Sequence, residues 1–332
     1  MSFRRKFAVS LIIALILIIN SLISGCSIIR GYTTQSFTDM YFDTVVSVDI
    51  LQPVSEDVIN GCREICEKYD ELFSKTSQNS EIRKINEAKG AAVTVSDDTI
   101  TLLNKGIYYG KLSNGLFDIT IGRVTKLWNF ETSYHGLPNS DELANALSHV
   151  DYKTIIIEEN TVRLEDPDAM IDVGAIAKGF IADKIKAYLV SKGVSHALIN
   201  LGGNVLAVGN KTDGSAFNIG IQKPFDTTGE ALTSVRIENK SVVTSGDYQR
   251  YFTLGGKVYH HIINPETGYP SDTDLDSVTI ITDSSLTADA LSTTCFLMGL
   301  EEGMTLVNRL SNVDALFITK DGILHYSPNF QK

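Results

Sequence analysis

The order in which strand and helix signals succeed one another constrains this chain most. From residue 196 onward, short runs of β-type residues follow closely, at His196–Val208, Ala216–Gln222, Ser234–Ile237, Ser241–Ser245, Tyr248–Leu254, Lys257–Ile263 and Ser277–Thr282. A helix over Leu286–Met298 interrupts them, a further helix runs from about Glu301 to Leu310, and Ala315–Tyr326 closes as a hairpin at Asp321-Gly322. Upstream, Val58, Cys62, Ile65, Cys66, Tyr69, Leu72 and Phe73 recur at three- and four-residue steps, which predicts an amphipathic helix over Ser55–Phe73 with Ser55 as its N-cap. A second helix is expected from about Ser96 to Ser113, stopping at Asn114-Gly115, and a short third from Ser140 to before Val150. Lys153–Glu165 reads as a hairpin around Glu159-Asn160, and Asp172–Lys192 as a loop feeding a helix that ends at Gly193. Strands and helices thus mix without a regular βαβ alternation, which predicts an α+β fold of layered mixed or antiparallel sheets with packed helices rather than a doubly wound sheet.

The N-terminus bears on compartment. Arg4, Arg5 and Lys6 precede an uncharged apolar run from Phe7 to Ile19, the pattern of a secretory leader, and the run ends at Ile23-Ser24-Gly25-Cys26. Small residues closing on a cysteine resemble a bacterial lipobox, so residues 1–25 are expected to be a lipoprotein signal peptide and Cys26 the lipidated residue. An uncleaved membrane anchor is the alternative; both readings put the rest of the chain on the extracytoplasmic face of the cell membrane. Residues 26–35 then form a tether and 36–330 the folded domain, with no Pro-rich, Ser-rich or charged linker dividing it. Cys62 and Cys66, one helical turn apart, read as small buried residues rather than a disulfide. A net charge of −11 excludes a nucleic-acid partner and means that an anionic ligand needs a cation or a local basic residue to hold it.

Three groups of residues carry candidate chemistry. Asp289 and Thr293, four apart near a helix start, stack a carboxylate and a hydroxyl on one face: either a pair of hard oxygen ligands suited to Mg²⁺, or a charged first turn with a back-bonding threonine. The loop with Asp172, Gly174, Ala175, Lys178 and Gly179 is either a tight turn or a phosphate-binding helix start; it lacks the Lys-Ser or Lys-Thr of a Walker loop, and Gly202-Gly203-Asn204 supplies no dinucleotide fingerprint. Of the adjacent His260 and His261, strand alternation turns one inward and the other outward. His261 is a candidate proton acceptor, with a hydrogen-bonded structural histidine as the alternative.

In their shared order, several segments resemble the ApbE-type flavin transferases, or FAD:protein FMN transferases. They are Met40 with Phe42-Asp43-Thr44, Asn79-Ser-Glu-Ile82 with Asn86, Asn114-Gly-Leu-Phe-Asp-Ile-Thr120 with Trp128, and Ile171-Asp-Val-Gly-Ala-Ile-Ala-Lys-Gly179, then Ile199-Asn-Leu-Gly-Gly-Asn204, Ser245-Gly246, His261-Ile-Ile-Asn-Pro265 with Thr267-Gly268, and Ala288-Asp-Ala-Leu-Ser-Thr293. The resemblance implies an ApbE-like, T-fold-like catalytic domain. It implies Mg²⁺ held by the Ala175 carbonyl, Asp289 and Thr293, with FAD against Met40, Phe117, Asp118, Ile119, Asp172, Lys178 and the stretch near Ile263. It further implies transfer of the FMN half of FAD to a threonine hydroxyl of exported or membrane flavoprotein subunits with release of AMP, His261 acting as general base and Asp289 able to share that task. An FAD pyrophosphatase giving FMN and AMP, and a lipoprotein that only binds FAD, are the alternatives. Asn264 stands where the family usually has an aspartate.

Overall fold

The computed structural model describes residues 33–130 and 136–330. The leader at 1–25, Cys26 and residues 26–32 of the tether lie outside the described residues. Among the described residues no helix is long and apolar enough to cross a membrane.

The first element is a hairpin, β1 (Thr33–Tyr41) and β2 (Thr44–Val54), joined at Phe42 and Asp43, both with φ of 55°. Two successive residues at positive φ are what a two-residue turn of matching twist requires. In β2, Val46, Val48 and Ile50 are buried and alternate with Ser47 and Asp49, the period of a half-buried strand. The chain continues through α1 (Glu56–Phe73), α2 (Glu81–Glu87), β3 (Val93–Thr94), α3 (Asp97–Leu112), α4 (Gly122–Trp128), α5 (Ser140–Leu147), a 3₁₀ turn at Tyr152–Thr154, β4 (Ile155–Glu158), β5 (Thr161–Leu164) and α6 (Gly174–Ser191). It then runs through β6 (His196–Leu201), β7 (Asn204–Gly209), β8 (Phe217–Gln222), β9 (Ala231–Ile237), β10 (Ser241–Gly246), β11 (Tyr251–Leu254), β12 (Lys257–His260), β13 (Leu275–Thr282), α7 (Ser285–Arg309), β14 (Asp314–Thr319) and β15 (Leu324–Tyr326).

The main sheet has eight strands in the order β1-β2-β6-β7-β10-β13-β14-β15, every neighbouring pair antiparallel. Both of its faces are covered, and alternation along one strand shows how: Phe317 of β14 joins the large core under α1, α6 and α7, while Leu316 and Ile318 join a second core closed by the β8–β9 hairpin. A third apolar cluster, with Val124, Trp128, Leu143, Ala146, Phe252 and Ile263, mounts the β11–β12 hairpin on α4 and α5. The α+β class expected from the sequence is the class found.

Four local readings change. His196–Val208 is two strands, because Gly202 and Gly203 take φ of 62° and 92° and turn the chain, with Asn200 Oδ1 accepting the Gly203 N–H at 2.8 Å. The expected helices over 286–298 and 301–310 form one element broken at Gly299 (φ 78°, ψ −179°). The strand expected from Tyr248 begins at Tyr251, and that expected to reach Ile263 ends at His260. Ser55 stands at the N-cap of α1 but makes no side-chain cap bond. Cys62, Cys66 and Cys295 are buried free thiols, which burial pushes up to about 12.

Candidate active site

The start of α7 is held by a side chain of α6. Asp183 accepts from Ser284 Oγ at 2.8 Å, from the Ser285 N–H at 2.8 Å and from the Leu286 N–H at 3.1 Å, so one carboxylate satisfies two amides that a helix start leaves unpaired. Ser285 Oγ donates to Asn204 Oδ1 at 2.5 Å and receives a bond from Ser241 Oγ at 2.9 Å, tying the same turn to β7 and β10. The two helices also touch backbone to backbone: a Cβ on Gly179 would meet the Ser285 carbonyl oxygen at 2.3 Å. Helix α7 is thus set against α6 by polar pins and by a glycine that removes the side chain between them.

That junction brings Asp289 to the first turns of α6. The residue is buried, and its Oδ2 accepts the Gly179 N–H at 2.8 Å. In a regular helix that N–H serves the carbonyl four residues back, here Ala175, so carboxylate and carbonyl compete for one proton. Lys178 Nζ lies 3.9 Å from Asp289 Oδ1 and donates to the Gly174 carbonyl at 3.2 Å. Burial raises the Asp289 pKa above the usual carboxylate range, while the Lys178 charge, the Gly179 N–H and nearby Asn204 pull the other way. Asn204 favours the charged form by proximity, yet its buried Nδ2 makes no hydrogen bond of normal geometry. One turn further along α7, Thr293 Oγ1 lies 3.0 Å from Ser245 Oγ, which also meets Ser292 Oγ at 2.8 Å. The structure therefore brings Lys178 and Asp289 together at the first turns of α6, sets Thr293 one turn further along α7 against Ser245, and adds Asn204 and Asp183 beside them.

His261 follows β12 directly. Its N–H donates to the Arg250 carbonyl at 3.1 Å, extending the β11–β12 ladder, in which Tyr251 faces His260, by one more pair. Opposed residues of an antiparallel pair put their side chains on the same face, so the Arg250 guanidinium and the His261 imidazole share a side. Arg250 also donates from Nη2 to the Asp43 carbonyl at 3.3 Å, which joins the β1–β2 turn to this edge. His261 keeps some exposure, but its Nδ1 is buried without a hydrogen-bond partner. Burial first, then the charges of Arg250, His260 and Lys178, lower its pKa to about 3, so the ring is neutral at physiological pH. His260 is the inward member of the pair: Nε2 lies 3.0 Å from the Ser271 carbonyl, Nδ1 accepts the Ile262 N–H at 3.3 Å, and the ring packs edge-on against Phe296.

The remaining expected residues divide. Asp172 lies at the mouth of α6, its Oδ1 accepting the Gly174 N–H at 2.9 Å and its Oδ2 meeting Thr125 Oγ1 at 2.9 Å and Lys75 Nζ at 3.4 Å. Asn86 fixes this loop from a distance with a reciprocal pair, Nδ2 to the Ile171 carbonyl at 2.9 Å and the Ile171 N–H to Oδ1 at 2.7 Å. Phe117, Ile119 and Ile263 bury their side chains in apolar cores, which leaves only main-chain atoms to meet a ligand. Asp118 is fully engaged in a turn: Oδ1 accepts from Thr120 N–H and Oγ1 at 2.7 and 2.6 Å, and Oδ2 from the Tyr152 N–H at 2.8 Å. Met40, 66% exposed, stands at the open tip of the first hairpin. Asn264 Oδ1 accepts from the Glu266 and Thr267 N–H groups, a turn an aspartate forms equally well, so that departure from the family pattern is structurally neutral. The pin missed from sequence, Asp183, reaches 101 to 103 residues along the chain and leaves no local signal, while Asn86, present in the family pattern, has its partner 85 residues away.

The ApbE family pattern matches residues 42–317 of this chain. A protein of Klebsiella pneumoniae (strain 342) named FAD:protein FMN transferase is 37% identical over 261 residues, covering 78% of this chain and 81% of that protein. One of the same name from Treponema pallidum (strain Nichols) is 36% identical over 273 residues, covering 77% and 75%. Among solved structures, the ApbE protein of Thermotoga maritima superposes with a TM-score of 0.81 at 29% identity over 89% of this chain and 97% of that one. The flavin transferase ApbE from Vibrio cholerae gives 0.79 at 27% identity over 90% and 98%. The chain belongs to the ApbE family.

Proposed function

We propose that this ApbE-family enzyme is a Mg²⁺-dependent FAD:protein FMN transferase that moves the FMN half of FAD onto a threonine hydroxyl of exported or membrane flavoprotein subunits. One observation carries the reading: where α6 meets α7 the buried Asp289 carboxylate accepts the Gly179 N–H and lies 3.9 Å from Lys178, whose charge also acts on His261.

The residues fit the implied ion. Asp289, Thr293 and the Ala175 carbonyl offer only oxygen, the donor set a hard divalent cation takes, and the Gly179 N–H that a regular helix directs at that carbonyl reaches Asp289. Mg²⁺ held by these three groups would supply Lewis-acid neutralisation of diphosphate charge. Lys178 binds phosphate oxygen as a point cation. His261, neutral, accepts the proton of the attacking hydroxyl as the new Thr O–P bond forms and the P–O–P bond to AMP breaks. Asp172 and Asn86 hold the main chain at the mouth of α6 against the ligand.

The localisation is part of the proposal. Cys26, lipidated after removal of residues 1–25, would tether the domain at 36–330 to the outer face of the membrane, confining enzyme and acceptor to one surface. Incubating the enzyme with FAD, MgCl₂ and an acceptor distinguishes the readings. AMP with covalently bound flavin is the expected result, AMP with free FMN makes the protein a pyrophosphatase, and intact FAD makes it a binder. Asp289→Asn is expected to abolish AMP release, and full activity in that variant removes Asp289 from the site.

A further inference from the structure

We propose that Arg250 is a further catalytic residue: its guanidinium takes two non-bridging oxygens of the phosphoryl group being transferred and stabilises the charge that builds on them as the bond to AMP breaks. This rests on the transferase reading and adds to it a group that no sequence signal singled out.

Arg250 and His261 oppose each other at the end of the β11–β12 ladder. The His261 N–H donates to the Arg250 carbonyl at 3.1 Å, beside the Tyr251–His260 pair, so the two side chains project to one face of the hairpin and those of Tyr251 and His260 to the other. The guanidinium is tethered on one side only. Its Nη2 donates to the Asp43 carbonyl at 3.3 Å in the β1–β2 turn, and that turn is fixed in its own right by the Phe42 N–H, which donates to Asp70 Oδ1 at 2.8 Å. Among the described residues no carboxylate forms an ion pair with Arg250, whereas Lys178 has Asp289 at 3.9 Å and Lys184 has Asp98 at 2.6 Å. The side chain is exposed, and with one N–H spent on Asp43 the rest of its fork is left to meet an anion.

The chemistry of the step brings phosphate oxygen to that face. A hydroxyl that gives its proton to His261 attacks a phosphorus only a few ångströms from the ring, so the non-bridging oxygens of that group come within reach of the side chain opposite. The Thr O–P bond forms, the P–O bond to AMP breaks with its electron pair leaving on the AMP phosphate, and the hydroxyl proton ends on the imidazole. Guanidinium stays protonated throughout, so Arg250 contributes charge and hydrogen bonds but no proton. Its planar fork matches two oxygens of one phosphoryl group, which the point cation of Lys178 does not. The bond to Asp43 holds the fork in place before substrate arrives and so limits the freedom lost on binding. Among the charges that lower the His261 pKa, that of Arg250 comes ahead of His260 and Lys178, in agreement with a guanidinium close to the ring.

The test uses the full chain in detergent with FAD, MgCl₂ and an acceptor, and compares wild type with Arg250→Gln, Arg250→Lys and Arg250→Ala. Arg250→Gln should lower kcat for AMP release by about 10²-fold or more, the scale of losing one donor to transition-state charge, and change the KM for FAD far less. Arg250→Lys keeps the charge without the fork and should fall between Arg250→Gln and wild type. Guanidinium chloride, far below denaturing concentrations, should restore part of the turnover of Arg250→Ala, and sodium chloride at the same concentration should restore none. A kcat for Arg250→Gln within about twofold of wild type overturns the proposal, whatever its KM. So does an Arg250→Ala that guanidinium leaves as slow as before: a structural tie to Asp43 is lost with the side chain and a free ion does not repair it. No AMP from the wild type under any condition sinks the transferase reading itself, whereas AMP and labelled acceptor from wild type and Arg250→Gln alike sink this inference alone.

Discussion

Gly179→Ala tests whether the junction of α6 and α7 sets the geometry of the site. An added Cβ would lie 2.3 Å from the Ser285 carbonyl oxygen and 2.7 Å from the Leu286 Cα, where ordinary contact begins at 3.4 Å. The opposing atoms are backbone, so no rotamer change relieves them, and α7 must move away by about 1 Å. Overpacking of this kind costs roughly 1 to 3 kcal/mol, and at a few degrees per kcal/mol in a chain this size Tm should fall by roughly 2 to 8 °C. The effect on chemistry should be larger than the effect on folding. Asp289 and Thr293 ride on the helix that moves while Ala175 and Lys178 ride on the one that stays, and a displacement near 1 Å at reacting groups is worth about 10²-fold in rate. The assay is AMP release from FAD at saturating substrate, run beside differential scanning calorimetry on the same preparation. A variant that melts several degrees lower with an unchanged kcat would refute the claim that this contact positions the site; a variant unchanged in both would refute the contact itself.

Asp183→Ala removes the acceptor that serves Ser284, Ser285 and Leu286, and should cost roughly 0.5 to 2 kcal/mol in a urea melt, as loss of a helix cap does, with a fall in kcat; unchanged stability would mean that the turn is held by Asn204 alone. Arg250→Gln takes a positive charge from beside His261, which burial and that charge hold at about 3, so the acid limb of kcat/KM for flavin transfer should move to higher pH; a limb that stays in place removes Arg250 from the ring's surroundings. His260 is held down to about 4 by burial, so between its ordinary 6.5 and that value the unfolded chain takes up a proton that the folded chain refuses. Stability should therefore be full above pH 6.5 and fall as pH drops towards 4, and His260→Gln should flatten that part of the profile. Burial opposes ionisation of Asp98, but hydrogen bonds from Lys184, Lys68 and Tyr69 outweigh it and bring the group to about 2. Its contribution should be present above pH 3.8 and lost as pH falls from there, so Asp98→Asn should lower stability at neutral pH and leave it nearly unchanged near pH 2; an equal loss at both would point to packing instead.

What could be read from sequence was what repeats locally. The three-four spacing from Val58 to Phe73 gave its helix, the four-residue step from Asp289 to Thr293 gave one face of another, and alternation at His260 and His261 separated an inward ring from one at the site. Val46, Val48 and Ile50, alternating with Ser47 and Asp49, carried an equally clear strand signal for β2 that the strand reading did not use. Gly202-Gly203 is likewise a hairpin signal, obscured because the runs on both sides are apolar enough to read as one strand. Other features had no local trace at all. Strand β3 has two residues and exists because β5 pairs with it, and the bonds from Asn86 to Ile171 and from Asp183 to the start of α7 depend on the fold having already brought distant segments together. Phe117 and Ile119 illustrate the reverse limit: their place in the family pattern was legible, but only burial assigns their side chains to the core.

The charge arrangement explains how an acidic protein handles an anionic substrate without a broad basic surface. With a net charge of −11, the long-range field repels a diphosphate, so attraction must come from groups within a few ångströms. Lys178 and Arg250 are the cations acting on His261, and Asp289 meets Lys178 from the buried side. The two cations have a second effect. Together with burial, the larger cause, they hold the imidazole neutral and able to accept a proton, yet they also make it a weak base. An anionic substrate seated between them offsets the part of the shift that these charges cause, so on the proposed reaction the ring gains basicity when the phosphate to be attacked is in place. Buried Nδ1, with no protein partner to fix its proton, leaves the ring responsive to that change. A more basic protein surface would bind the dinucleotide more readily but would lose this dependence of the base on its substrate.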